Sequence, residues 1–361
     1  MADLGVEEPS VEVIILTHNG RKHIERCLNS LKKTNYSNFR VSVVEQNSSD
    51  GTAEFISEKH AWVNLILNKE NKSFAEGNND ILRNSKAKYC VLLNDDTEQE
   101  PNWIRKLVRI AERRKDVGAL QPKILSMRDR KKFEYAGAGG GFIDMYGYPV
   151  CRGRVFDSIE KDEGQYDNLI ETFWSCGAAM LLNMEAIRKV GYLDETFGSY
   201  GEELDLCWRL NLAGYKIIFV PDSVIYHLGS ASWGKKEYNF KREYLHQRNH
   251  WIPLFKNYSM KNWFRILPVK LFLEFITAFG FMFSNPRKSL ASVMANFWVA
   301  GNFGRLVKKN RGVSSLRKIS DEEMMRKMIK TSVALHYFLS RRRKSFRDYL
   351  GFIEDYDKLR L

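Results

Sequence analysis

Val11-Glu12-Val13-Ile14-Ile15-Leu16, closed by Thr17-His18-Asn19, is the stretch from which this chain is read. It is a nearly continuous β-rich run, as a strand buried on both faces requires. Downstream, residues 21–33 set Ile24, Leu28 and Leu31 at helical spacing, and residues 40–44 read as a second strand. A helix near 52–60 follows, then a strand over 63–67, a helix near 76–85 and a strand over 89–93. A helix near 101–114 and a fifth strand over 117–125 complete the series. Strands alternating with helices predict an α/β fold with a mostly parallel central sheet and helices on both faces. Ligands of such sheets bind beyond the C-terminal ends of the strands. Four loops therefore matter: 17–19, 45–51, 68–77 and 94–97.

Residues 126–170 have no clear period and contain Ala136-Gly137-Ala138-Gly139-Gly140-Gly141. The spacing is not a dinucleotide-binding fingerprint, so a flexible loop or hairpin is expected. Regular structure resumes over 173–182, with helices near 184–190 and at 202–213 and strands at 216–220 and 224–227. After Gly229 aromatic and basic residues interleave: Trp233, Tyr238, Phe240, Tyr244, Trp251 and Phe255 begin the series. Residues 266–283 are mostly apolar but include Lys270 and Glu274, which is marginal for a bilayer span. A helix lying in the membrane interface, flanked by Trp263 and Arg265 and by Arg287 and Lys288, fits better; a buried core helix is the alternative. The predicted organisation is a catalytic unit over 1–230, split near 125, and a helical basic region over 231–361.

A length of 361 residues suggests two domains at about 150 residues each. The 44% hydrophobic and 28% charged content excludes a disordered chain. Cys27, Cys90, Cys151, Cys176 and Cys207 form no CxxC pair, which argues against a disulfide framework or a zinc ribbon. Residues 1–10 are acidic and lack an apolar core, so no secretory signal is read and a cytosolic setting is expected. Charge is unevenly spread. Residues 1–230 carry 30 Lys+Arg against 34 Asp+Glu, whereas residues 231–361 carry 27 against 10, a net of +17. That excess, with Arg341-Arg342-Arg343-Lys344, predicts an anionic partner, a membrane surface above all.

Asn94-Asp95-Asp96 ends a strand, where carboxylates can hold a divalent cation that shares phosphate oxygens. Helix N-capping is the plain alternative. Glu202, Glu203 and Asp205 fall in the first turn of a helix, as dipole partners or as a general base. Acids so close repel, which raises at least one pKa. His227 ends a strand, where a neutral imidazole can complete a metal site.

Taken in order, these pieces resemble glycosyltransferase family 2, inverting enzymes of the GT-A fold, in its rhamnosyltransferase-like branch. The resemblance covers about residues 11–230. It rests on Ile15-Leu16-Thr17-His18-Asn19, Val44-Glu45-Gln46-Asn47-Ser48-Ser49-Asp50-Gly51-Thr52, the 71–79 loop and Leu92-Leu93-Asn94-Asp95-Asp96-Thr97. It continues through Cys176-Gly177-Ala178-Ala179-Met180-Leu181, Gly191-Tyr192-Leu193-Asp194-Glu195, Glu202-Glu203-Leu204-Asp205-Leu206 and Val224-Ile225-Tyr226-His227. The resemblance implies that Thr17, Asn19, Glu45 and Asp50 line the nucleotide pocket, with Asn78 and Asn79 near it. It implies that Asp96 is the main ligand of Mg²⁺ or Mn²⁺, with Asp95 at the ribose or diphosphate and His227 a further contact. Glu203 stands at the base position, with Glu202 as fallback. Trp174, Cys176, Gly177, Ala178 and Asp205 would border the donor sugar and the acceptor. Glu45-Gln46 stands where the family usually has Asp-Asn, Asn94 where it has a first Asp, and Glu203 where it has Asp.

The implied function is metal-dependent transfer of a sugar from a UDP-, dTDP- or GDP-linked donor to a glycan or lipid-linked acceptor. The predicted place is the inner face of the cell membrane, with no nucleic-acid partner. Two rival classes remain: a nucleotidyltransferase, and a non-catalytic protein binding anionic lipid or nucleic acid through the +17 segment.

Overall fold

The structure, a computed structural model, describes residues 8–229, 240–339 and 344–361. The first half alternates as its sequence predicts: β1 (Val11–Thr17), α1 (Ile24–Leu31), β2 (Phe39–Glu45), α2 (Thr52–Lys59), β3 (Asn64–Leu67), α3 (Phe74–Leu82) and β4 (Tyr89–Asn94). Then come the short β5 (Thr97–Gln99), α4 (Trp103–Arg113) and β6 (Val117–Ser126). Local chemistry sets the boundaries: Ser73 and Glu76 form a reciprocal capping box that starts α3.

Of the loop and the hairpin expected after β6, the structure takes the hairpin. The segment folds into a small antiparallel sheet of β7 (Gly141–Ile143), β8 (Pro149–Cys151), β9 (Arg154–Val155) and β10 (Ser158–Ile159). The glycine run is buried, because Trp174 lies on it: a Cβ on Gly141 would stand 2.3 Å from the indole ring. Those glycines permit close packing and do not signal mobility.

The chain then forms β11 (Ile170–Thr172), β12 (Ala179–Asn183), α5 (Met184–Val190), α6 (Glu202–Leu212) and β13 (Lys216–His227). Residues 173–178 are not a strand, and the two predicted strands at 216–227 are one, with a register shift between Val220 and Val224. The main sheet runs β11-β13-β6-β12-β4-β1-β2-β3, with β5 added to β13. β12 is antiparallel to both β4 and β6. β6 and β13 therefore point the same way as β4, and His227 emerges on the same edge as Asp95 and Asp96.

Helices make up most of the rest: α7 (Phe240–Asn257), α8 (Met260–Phe281), α9 (Pro286–Gly301), α10 (Phe303–Ser314), α11 (Asp321–Arg326) and α12 (Val333–Leu339). Trp233, Tyr238 and Arg341-Arg342-Arg343 lie outside the described residues. The helical layer is bolted to α6 by a buried ion network. Lys256 Nζ is 2.7 Å from both Asp194 and Asp205, Arg209 Nε is 2.9 Å from Asp205, and Asn257 donates to Asp205 at 3.0 Å. At the far end, the Leu361 amide donates to the Leu169 carbonyl at 3.1 Å, which returns the last residues to the sheet-bearing half.

Candidate active site

The parallel strands deliver their C-terminal residues to one edge, and hydrogen bonds knit the loops there. Asn19, in a left-handed conformation at φ +53°, receives the Ser49 amide at 2.9 Å, and its own amide donates to Ser48 Oγ at 2.8 Å. Asp50 accepts from the Arg21 amide at 3.0 Å and from the Thr52 amide at 3.2 Å. Glu45 is buried and accepts from the Ser48 amide at 2.7 Å. Thr17 Oγ1 donates to Asp95 Oδ2 at 2.6 Å, and His23 Nε2 stands 3.2 Å from the same oxygen. Gly20 makes this approach possible: a Cβ there would meet Thr17 Oγ1 at 2.1 Å and Asp95 Oδ2 at 2.6 Å. The His23 imidazole is raised above its ordinary pKa by its bond to Asp95.

Asp96 is placed by strand pairing. β5 runs antiparallel to β13 with Thr97 opposite His227, which sets the preceding residue against the imidazole. Asp96 Oδ1 lies 2.9 Å from His227 Nε2, and His227 Nδ1 lies 2.9 Å from Glu134 Oε2. Burial disfavours both charges here, yet the mutual hydrogen bonds win: Asp96 is held low and His227 is pushed up to about 10.

Among the described residues no group of three or more His, Cys, Asp or Glu side chains stands at metal-holding spacing. The three-ligand arrangement expected from Asp95, Asp96 and His227 is thus not preformed, because Thr17 and His23 hold Asp95. Asp96 and His227 remain a fit for a divalent cation, which would take the place of the Nε2 proton now shared between them. Glu134 takes the Nδ1 side of the ring, as carboxylates do behind metal-ligating histidines, and aims Nε2 at Asp96. A carboxylate and an imidazole, with further oxygens from a diphosphate, suit Mg²⁺ or Mn²⁺.

On the other side, α6 opens with Glu202 and Glu203 in its first turn and no side-chain cap at Gly201. Burial raises both carboxyls above the usual range, and the Glu203 charge adds to the rise at Glu202. Glu202 Oε2 is buried without a partner, whereas half-buried Glu203 accepts the Gly201 amide at 3.2 Å.

The two acidic groups border one segment. The Asn94 amide donates to the Ala178 carbonyl at 3.0 Å, which seats Asp95-Asp96 beside residues 176–178. The Ser175 amide donates to the Cys207 sulfur of α6 at 3.4 Å, which packs the helix that opens with Glu203 against the start of the same segment. Cys176 is fixed through its amide to Gln121 at 2.9 Å, and a Cβ on Gly177 would meet the Phe74 ring at 2.9 Å.

Four expected site residues are engaged inside the protein. Trp174 is buried and donates to the Phe142 carbonyl at 2.8 Å, beneath the segment rather than on its rim. Asn78 donates to the Phe74 carbonyl of its own helix at 2.9 Å. Asn79 donates to the Leu193 carbonyl at 2.9 Å and accepts the Leu193 amide at 3.1 Å. Asp205 is fully buried among Arg209, Lys256 and Asn257. These contacts give Asn79 and Asp205 a structural part that their sequence positions did not signal. Glu134 and His23 escaped sequence reasoning. Glu134 sits 93 residues from His227, and no spacing rule links them.

Residues 12–188 match the sequence profile of Glycosyl transferase family 2. The chain belongs to that family. An N-acetylglucosaminyl-diphospho-decaprenol L-rhamnosyltransferase of Mycobacterium tuberculosis is 24% identical over 241 residues, 62% of this chain and 77% of that one. An uncharacterized protein of Sinorhizobium fredii is 25% identical over 255 residues, 67% of this chain, but the match spans only 28% of that protein. In fold, the family 2 chain is similar to GalNAc-T7, at TM-score 0.55 and 12% identity, covering 93% of this chain and 58% of that one. It is likewise similar to Staphylococcus aureus TarS 1-349, at TM-score 0.52 and 18% identity, covering 85% and 84%. The mixed sheet and these likenesses establish the GT-A glycosyltransferase fold.

Proposed function

We propose that this family 2 glycosyltransferase moves a sugar from a nucleoside-diphosphate donor to a hydroxyl acceptor by one displacement with inversion. The carrying observation is that Asp95-Asp96, at the end of β4, and α6, which opens with Glu203, adjoin one short segment, residues 175–178, from different elements. A single displacement needs a base on the acceptor side and charge neutralisation on the leaving-group side. Glu203 takes the acceptor proton, and burial keeps its proton affinity high. Asp96 and His227 hold Mg²⁺ or Mn²⁺, which when bound neutralises charge on the departing diphosphate. Thr17, Asn19, Glu45 and Asp50, at the ends of β1 and β2, line the nucleotide. The GalNAc-T7 structure contains UDP, GalNAc and Mn²⁺, and the TarS structure contains UDP-GlcNAc, in support of such a donor. The expected result of incubating the chain with UDP-, dTDP- and GDP-sugars and Mn²⁺ is release of nucleoside diphosphate. Release of pyrophosphate would instead identify a nucleotidyltransferase.

The acceptor is a lipid-linked glycan met at an anionic membrane surface on the inner face. The rhamnosyltransferase relative carries a diphospho-decaprenol acceptor in its name. The stronger support is α8. Among the described residues no helix is long and apolar enough to cross a membrane. Yet α8 turns Lys270 and Glu274 inward, leaves Lys261 and Arg265 exposed near its start, and turns most of its phenylalanines outward. Lys270, 0% exposed, pairs with Glu274 at 2.6 Å, and Ser292 of α9 donates to Glu274 at 3.0 Å. The outer face presents Phe264, Phe272, Phe275, Phe279 and Phe283, the last 85% exposed, and α9 adds Phe297. A soluble amphipathic helix would have the opposite arrangement. An apolar face in the interface, with Lys and Arg nearby, suits anionic lipid. Full-length protein should float with vesicles containing anionic lipid, and Phe272→Glu/Phe275→Glu should remain at the bottom of the gradient. Equal flotation of the two would remove this part of the proposal.

A further inference from the structure

We propose that Asn249 of α7 is a positioning residue for the base, holding the peptide unit that orients Glu203; this rests on the reading of Glu203 as base. The loop before α6 is bent by two consecutive left-handed residues, Tyr200 at φ +73° and Gly201 at φ +91°. A tyrosine rarely adopts that conformation unless its surroundings impose it. Here the surroundings are α7. The buried Asn249 amide nitrogen lies 3.0 Å from the Phe197 carbonyl, 2.8 Å from that of Ser199 and 2.7 Å from that of Tyr200. Arg248 donates to the Thr196 carbonyl at 3.0 Å and, through Nε, to Asn249 Oδ1 at 2.8 Å. The His246 ring stacks on Tyr200 with centroids 4.1 Å apart.

One peptide unit joins the two residues. The Tyr200 carbonyl receives Asn249, and the Gly201 N–H of the same peptide donates to Glu203 Oε2 at 3.2 Å. A bond to the carbonyl polarises the N–H of that peptide and strengthens its bond to the carboxylate. Without Asn249 the peptide is free to rotate, and Glu203 loses both its aim and its donor. The titratable groups facing Glu203 are Glu202 in its own turn, Cys207 further along α6, and Cys176 of the adjoining segment. None of these is moved by a change at Asn249.

The test uses the full chain and compares Asn249→Ala, Asn249→Asp and Glu203→Gln with the parent. Each is checked for folding by thermal unfolding. Asn249→Ala is expected to lower kcat by about 10- to 100-fold, the range of a misplacement near 1 Å, with donor KM unchanged. The acid limb of its kcat profile should move to higher pH, because a carboxylate that loses a donor binds its proton more tightly. Asn249→Asp keeps the volume but faces carbonyl oxygens with a carboxylate, so it should be at least as impaired. A role in packing alone would leave it near the parent. If Asn249→Ala does not fold, His246→Ala loosens the same peptide from the Tyr200 side and should show a smaller fall with the same displacement of the limb. Folded Asn249→Ala with parental kcat and limb, or parental Asn249→Asp, overturns the proposal. An active Glu203→Gln overturns the base reading itself, and the positioning role falls with it.

Discussion

Glu203→Gln should lower kcat by about 10²- to 10⁴-fold, the usual contribution of a positioned base, and leave donor binding nearly intact. The amide has the same reach and can still accept the Gly201 N–H, but it cannot take a proton. Single-turnover release of nucleoside diphosphate, alongside donor binding by calorimetry, separates the two effects. The pH dependence follows from the same environment. Burial raises the Glu203 carboxyl above the ordinary range, and only its ionised form is a base. Activity should therefore fall as pH drops through that raised pKa, at a higher pH than an exposed glutamate would give. Glu202→Gln is the paired control. Glu202 is buried, its Oε2 has no partner among the described residues, and the Glu203 charge pushes its carboxyl up further, so it stays protonated while Glu203 titrates. Glu202→Gln should therefore leave the acid limb where the parent has it, because burial and not a Glu202 charge raises Glu203. Parental turnover in Glu203→Gln with a dead Glu202→Gln would exchange their roles.

Asp96→Asn should lower turnover at least about 10³-fold, because a bound cation contributes several kcal/mol to a departing diphosphate. The readout independent of activity is thermal stabilisation by nucleoside diphosphate with and without Mn²⁺. A ligand that binds only the folded state raises the unfolding midpoint in proportion to its affinity. The parent should show a shift that depends on Mn²⁺ and is abolished by chelator, and Asp96→Asn should show none. The substitution also leaves His227 and Glu134 facing each other without the second carboxylate, at a buried site. Its own midpoint must therefore be compared first. An Mn²⁺-dependent shift that survives in Asp96→Asn would assign the cation elsewhere.

The elements that position this site were largely legible, since β4 is a continuous apolar run and β1 and β2 are mostly apolar ones, interrupted by Glu12 and by Arg40 and Ser42, and all three are bounded by polar loops. A strand buried on both faces has no polar face to confuse its period, and the residue that ends it stands at the ligand edge. The paired acids of 95–96 and 202–203 were visible for the same reason: each lies at the end of an element whose boundary is local. The glycine run at 136–141 left a loop and a hairpin both open, because local sequence carries no sign that Trp174 covers it. Asn79 and Asp205 were misplaced in the pocket, since a polar residue next to a motif looks the same whether it faces ligand or Lys256. Lys270 and Glu274 were read only as charges that make a bilayer span marginal. The fold instead satisfies them against each other and leaves the phenylalanines outside.

By itself, then, the order of residues determined the alternating strands and helices, the edge where the loops gather and which carboxylates lie near it. These follow from hydrophobic period and capping, interactions within a few residues of chain. Only the tertiary structure decided that β12 runs antiparallel between β4 and β6, that Thr97 faces His227, that Glu134 stands behind the imidazole, and that Asn249 holds the Tyr200 carbonyl. Each of those is a contact between residues far apart in sequence, made by packing and by the need of buried polar groups for partners, and no local period encodes it.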